Sequence, residues 1–313
     1  MGKQFSGIAA AASLLLAQAM QPALGQETLT VRVAVVTAIP ALAAWVAQDE
    51  GFFDAQHLSV SITPVQNVAL IPMTLGKQFD IGTATPVDLI KASAGGLNMA
   101  AIAGGHLEEE GHATNALVIR KDSGIKSVKD LAGKTVATPS IGAILQTALL
   151  YWMMREGVAA NSVRFVETPF PNMADQMAAG RVDAATAAQP FADRMIQAGN
   201  PSLGNVLLPV ANPALATVWI AERSWALANK PAVERWTAGL RQAAAFIEKN
   251  PQEARQVLEK YTKLPAPVVE NIALPHFEAS LQPSELAVWI AVLRQLNALQ
   301  EPVDTSAILA TSQ

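Results

Sequence analysis

The 313-residue sequence contains no cysteine. That excludes disulfides, zinc thiolates, a cysteine nucleophile and a lipid-modified N-terminal cysteine as a membrane tether. Aromatic residues supply only 5% of the chain, too few for a base-stacking platform. Charged residues supply 15%, and 22 Lys and Arg stand against 26 Asp and Glu with no basic stripe. Nucleic acid is therefore not an expected partner. Beyond the first residues, every alanine-rich stretch is interrupted by polar residues or proline, so no bilayer-spanning segment is expected. What the chain has is apolar bulk: 51% hydrophobic residues, enough for one large domain or two of ordinary size.

The N-terminus has the three parts of an export signal. Met1-Gly2-Lys3 gives a short positive start, residues 7–19 are apolar, and Ala23-Leu24-Gly25 offers small residues for cleavage. The expectation is a signal peptide over 1–25, cleaved near Gly25, and a periplasmic mature chain without a membrane anchor.

After the signal, strand-like and helix-like segments alternate. Strands are expected at 30–36, 58–64, 79–82, 98–103, 116–120, 135–137, 163–167 and 182–185. Helices are expected at 40–53, 71–76, 86–94, 143–156, 173–179 and 191–198. β-Like residues return within 207–225, and the rest is helical at 232–250, 251–261, 267–274 and 284–299. Such alternation predicts βαβ units and mainly parallel sheets flanked by helices. The two series divide into two lobes: 26–120 with 217–313, and 121–216. The segment 115–139 is a hinge candidate. Two crossings between lobes would allow closure like a clamshell; the alternative is one open sheet.

The strand-to-helix turns share a design. In "GTATPVDL", Thr85 is placed as N-cap, Pro86 at the first helical position and Asp88 in the first turn. "VVTAIPALAAW" puts Thr37 and Pro40 in the same setting, and "VATPSIGAILQ" does so with Thr138, Pro139, Ser140 and Gly142. "TPFPNMADQ" sets Asn172 three residues before Asp175, and "TAAQPFAD" sets Gln189 and Pro190 before Asp193. Ligands of open α/β sheets bind at the carboxyl ends of strands, where helix N-termini offer free N–H groups. For any one turn the plain reading is helix capping. Turns from both series facing one cleft would make a site.

Several stretches resemble a known family. "AWVAQDEGFFDAQHLSVSITPV", "GKQFDIGTATPVDLIKASAGGLNMAAIAG", "NALVIRKDSGIKSVKDLAGKTVAT" and "QMAAGRVDAATAAQPFADRMIQAG" are similar to segments of periplasmic substrate-binding proteins for sulfonates, nitrate and taurine. "YTKLPAPVVENIALPHF" and "LNALQEPVDTSAIL" resemble their C-terminal helices, so the likeness spans the mature chain. It implies the two-lobed type II periplasmic binding-protein fold, with two crossover strands and a helical C-terminal segment. It implies capture of a small organic or inorganic anion (a sulfonate, nitrate, a taurine-like compound or an aromatic acid) in the interlobe cleft by hinge closure, no cofactor, and delivery to an ABC permease and its ATPase by a monomer. Carried over turn by turn, it places Thr37, Ala38 and Ile39 in the first turn of the site and Ala84 and Thr85 in the second. Ser140, Ile141 and Gly142 follow at the start of a second-lobe helix, and Gln189 in the last turn. Relatives commonly carry a different polar or aromatic residue at Gln189. No Arg or Lys falls in these turns, so an anion would be held by helix N-termini and hydroxyls, and a neutral, aromatic solute is equally allowed.

Competing chemistry is thin. "GGHLEEEGHATN" clusters His106, Glu108, Glu109, Glu110 and His112, a pattern open to metal binding but expected to be a solvated acidic loop. His106 follows a strand end and is the one member expected to reach the cleft. No Ser/His/Asp arrangement emerges, and "GKT" at 133–135 lacks the upstream glycine of a phosphate loop. A related fold serves thiamine-precursor synthesis with a cysteine-rich motif that this chain lacks, and another, in menaquinone synthesis, is cytoplasmic. The expectation is a non-enzyme, with a ligand-presenting sensor module or a cofactor-precursor enzyme as alternatives.

Overall fold

The computed structural model describes residues 27–65 and 71–310; the expected signal at 1–25 lies outside the described residues. Strand β1 (Leu29–Val36) is β-branched and buried through Val33–Val35, the pattern of a strand covered on both faces. Helices α1 (Leu42–Asp49) and α2 (Phe52–Ala55) follow. The single helix expected at 40–53 is broken because Gly51 takes a left-handed φ of 72°. Strand β2 (Leu58–Val65) pairs parallel with β1. Next come α3 (Ile71–Thr74), β3 (Ile81–Ala84), α4 (Pro86–Ala94), β4 (Met99–Gly104) and the short β5 (His106–Glu108).

The second series comprises β6 (Asn115–Ile119), β7 (Thr135–Thr138), α5 (Ile144–Arg155), β8 (Arg164–Glu167), α6 (Phe170–Ala178), β9 (Ala184–Ala188) and α7 (Phe191–Gln197). The chain returns through β10 (Ala214–Leu215) to β11 (Val218–Glu222). It then runs into α8 (Arg223–Ala228), α9 (Lys230–Lys249), α10 (Pro251–Thr262) and α11 (Ala266–Asn271). It ends with β12 (His276–Phe277) and α12 (Pro283–Gln295).

The strands form three sheets, ordered β2-β1-β3-β11-β4, β6-β9-β7-β8 and β10-β5-β12. The first two have parallel centres, as expected for βαβ units, and each accepts one strand of opposite sense, β11 and β6. The third, wholly antiparallel, sits where the chain passes between the other two. Two ends of the expected lobes need correction. Residues 115–119, placed with the first lobe, pair with β9 in the second sheet. Ala214 and Leu215, placed with the second lobe, pair with Glu108 and Leu107. An apolar run such as "NALVI" announces a strand but not which sheet will take it.

One aromatic stack fixes the outer layer of the first sheet. Phe53 lies flat on Trp236 of α9, centroids 4.7 Å apart, and Trp236 meets Trp219 of β11 edge to face at 4.9 Å. All three are buried. The stack closes only because position 239 is glycine: a Cβ there would sit 2.5 Å from the Phe53 ring. Close approach matters again at Gly105, where a Cβ would collide with Thr217. That contact is what brings His106 against the Thr217 hydroxyl.

Candidate functional site

Between the two large sheets lies a cavity of about 430 Å³. The ends of β1 (Val36), β3 (Thr83, Ala84) and β9 (Ala188) and the turn after β7 (Pro139) open onto it, the position that open α/β sheets give their ligands. It falls within the size range of small-molecule sites.

Of the residues proposed from sequence, Ala38, Ile39, Ala84, Thr85, His106, Ser140 and Gln189 line this cavity. The other four stand apart from it. Thr37 is exposed, and Asn172 is exposed on α6. At the start of α5 the free amides expected for an anion are already taken. Ile141 N–H donates to Glu167 Oε2 at 3.0 Å and Gly142 N–H to Gln146 Oε1 at 2.5 Å. Helix α5 itself begins only at Ile144, and Ile141 turns its side chain outward.

Thr85 caps α4 as its sequence predicts, accepting from Asp88 N–H at 3.1 Å. Its hydroxyl donates in turn to Asp88 Oδ2 at 2.7 Å, taking the place of the backbone N–H in a reciprocal capping box. Asp88 also lines the cavity, and burial pushes its carboxyl up, an effect only partly offset by Thr85 and the charge of Lys91. Lys91, one turn on, has its own pKa lowered by burial and donates to the Gly142 carbonyl at 2.5 Å. That bond joins a helix of the first sheet to a turn of the second.

The base of the cavity holds the group that sequence reasoning misplaced. Glu108 was expected on a solvated loop; it is 1% exposed. Burial pushes its carboxyl up, but the His106 contact and the Thr114 donors outweigh it and hold the carboxyl below its ordinary value. Glu110 does face solvent, and among the described residues no group of three potential metal ligands converges.

Two further features had weak sequence signals. Phe170 and Phe191, at the starts of α6 and α7, stack 5.8 Å apart at 11° along the cavity wall. Each stands next to a proline in an aromatic-poor chain, "PFP" and "QPF", the only hint available. Gln189 Oε1 is buried and has no hydrogen-bond partner. The Gln189 side chain contacts Asp193, whose carboxyl burial raises and this contact lowers. Among the described residues, no Lys or Arg lines the cavity.

Residues 41–254 match the family model described as NMT1/THI5 like. The chain belongs to the NMT1/THI5-like family. A Haemophilus influenzae protein, provisionally named for thiamine biosynthesis, is 26% identical over 220 residues, covering 69% of this chain and 68% of that protein. The periplasmic aliphatic sulphonate-binding protein SsuA of Escherichia coli superimposes with a TM-score of 0.77 at 17% identity, over 90% of this chain and 97% of its own. The periplasmic nitrate-binding protein NrtA of Synechocystis PCC 6803 does so with a TM-score of 0.73 at 12% identity, over 90% and 85%. The fold is thus the two-lobed periplasmic binding-protein fold that the sequence resemblance implied, and the family resemblance itself holds.

Proposed function

We propose that this chain is the exported, solute-binding component of an ABC importer, active in the periplasm as a monomer without catalytic turnover. It would hold one small solute in the cleft between lobes and present it to a membrane permease driven by an ATPase. The lobes proposed are 27–65 and 71–108 with 214–310, and 115–204, joined by the two connecting segments. The observation that carries the reading is the cavity, walled by strand-to-helix turns from both sheets. No helix among the described residues is long and apolar enough to cross a membrane, which agrees with capture outside it.

The lining favours a solute with a flat apolar body and at least one hydrogen-bond donor over a free sulfonate or nitrate. Asp88 and Gln189 Oε1 are acceptors, the Phe170–Phe191 pair gives an apolar face, and no fixed cation answers an anion. An unpartnered buried acceptor costs about 1–3 kcal/mol, which a donor on the solute would recover.

The test is calorimetry and thermal shift on the mature chain with matched probes: benzamide against benzoate, and taurine against ethanesulfonate, with nitrate alone. The donor-bearing member of each pair should bind more tightly. Saturation at about 100 times the dissociation constant should add about 2.7 kcal/mol of stability. Preference for nitrate or the acids would reverse the ligand assignment. Failure of every probe and of a concentrated periplasmic extract would remove the binding role. A second reading, an enzyme of cofactor-precursor synthesis, is favoured by the family match and by the name of the Haemophilus relative. Product formation from any bound solute, followed by mass spectrometry, would decide for it.

A further inference from the structure

The chain passes from the first large sheet to the second between Glu108 and Thr114, and comes back between Asn205 and Ala214. Both passages meet at one carboxylate. Glu108 Oε2 accepts from Thr114 N–H at 2.9 Å and from Asn205 Nδ2 at 2.5 Å. Oε1 accepts from the Thr114 hydroxyl and lies 3.4 Å from His106 Nε2. Three hydrogen bonds thus converge on one carboxylate, with the His106 ring nitrogen as a fourth, longer contact 3.4 Å from Oε1.

The Glu108 carboxylate can only accept, which puts the His106 ring proton on Nε2, the nitrogen facing it. Nδ1 then accepts from the Thr217 hydroxyl, 2.8 Å away, whose oxygen accepts from His106 backbone N–H at 3.0 Å. Thr217 lies just past the returning passage and lines the cavity with His106. A second tie runs beside the first: Asn115 Oδ1 accepts from Val206 N–H at 3.0 Å, and Asn205 Oδ1 from Leu207 N–H at 2.8 Å.

We infer that Glu108 is a positioning residue for solute capture: it fastens the outgoing and returning passages to each other and sets the His106 ring at the cavity floor. The two walls then turn about a neck whose passages are joined to each other, at Glu108 and beside it at Asn115–Val206, not about two independent linkers. A buried carboxylate costs several kcal/mol to desolvate and earns its place only where its hydrogen bonds are complete. Its completeness here depends on three chain segments staying together. The inference deepens the solute-binding reading and rests on it for its purpose, but its test needs no solute.

Because the chain has no cysteine, two can be introduced cleanly, Lys77→Cys beside the first sheet and Lys121→Cys beyond β6. Dyes on the pair report the distance between lobes by single-molecule energy transfer in the full mature chain. The parent should give one narrow distribution without solute. Glu108→Gln keeps the shape but turns an amide N–H₂ toward at least one existing donor, and Asn205→Ala removes the returning tie together with the acceptor of Leu207 N–H. Both should broaden the distribution or add a second population. A purely structural role would lower the melting temperature and leave the distance distribution as it was. An unchanged distribution in either variant overturns the inference. Should Glu108→Gln fail to fold, Asn205→Ala and Thr114→Val decide on the same criterion. A parent that binds no solute while its distance distribution is narrow and both variants broaden it would count against the transport reading alone.

Discussion

Lys91 Nζ on α4 donates to the carbonyl of Gly142 at 2.5 Å, and so bonds a helix of the first sheet to the turn that precedes α5 in the second. The ammonium keeps this bond despite a burial that lowers its pKa. Replacing it with methionine preserves the stem and removes the link. Lys91→Met should weaken probe binding by about 1 kcal/mol, roughly fivefold, with a smaller effect on unfolding of the empty chain. Calorimetry beside urea unfolding separates the two, and equal losses in both would mean that the bond serves folding only.

Asp88 gives a pH signature of known sign. Its folded pKa lies above the unfolded value of 3.8, because burial disfavours the charge. The folded state therefore binds its proton more tightly, and ionisation costs stability as pH rises from 3.8 through the folded pKa. Asp88→Asn should remove that cost at neutral pH while keeping an acceptor for Thr85. The variant should equal or exceed the parent in stability at neutral pH, with its advantage shrinking below the carboxyl titration. Urea unfolding from pH 3 to 7 tests this, and a variant that is weakest at neutral pH would contradict it.

Much of the architecture was legible because it is local. The cap at Thr85, proline at the first helical position of α4 and the strand–helix alternation all lie within a few residues of each other. The resemblance to periplasmic binding proteins was legible for the same reason, being carried by contiguous stretches. What sequence could not show depends on distant partners. Glu108 reads as the first of three acidic residues, yet Asn205, 97 positions away, makes it a core group. Ile141 reads as a free amide, but Glu167, 26 positions on, fills it. Phe170 and Phe191 meet only when α6 and α7 pack side by side.

That aromatic pair can be tested without any solute. Phe170 and Phe191 are half-buried, so each alanine substitution should cost about 1–3 kcal/mol from lost apolar burial. If the offset stack contributes beyond burial, the double variant should fall short of additivity by about 0.5–1.5 kcal/mol. A cycle measured by urea unfolding reads this directly. Strict additivity would show two side chains that merely line the same wall.

Gly239 sets two opposing effects against each other. Alanine in the middle of α9 should gain about 1 kcal/mol of helix propensity. The new Cβ, however, would stand 2.5 Å from a Phe53 ring that is only 2% exposed and stacked on Trp236. With no free side to move toward, the ring must leave its stack or push α9 away, and such overpacking costs about 1–3 kcal/mol. The steric effect should win, so Gly239→Ala should lower stability by about 1 kcal/mol net, the middle of the overpacking range less the propensity gain. The sign should reverse in a Phe53→Ala background, where the Cβ enters space that the ring has vacated and only the propensity gain remains. Urea unfolding of the four proteins tests both signs, and a stabilised Gly239→Ala in the parent would mean that the stack yields more readily than its burial implies.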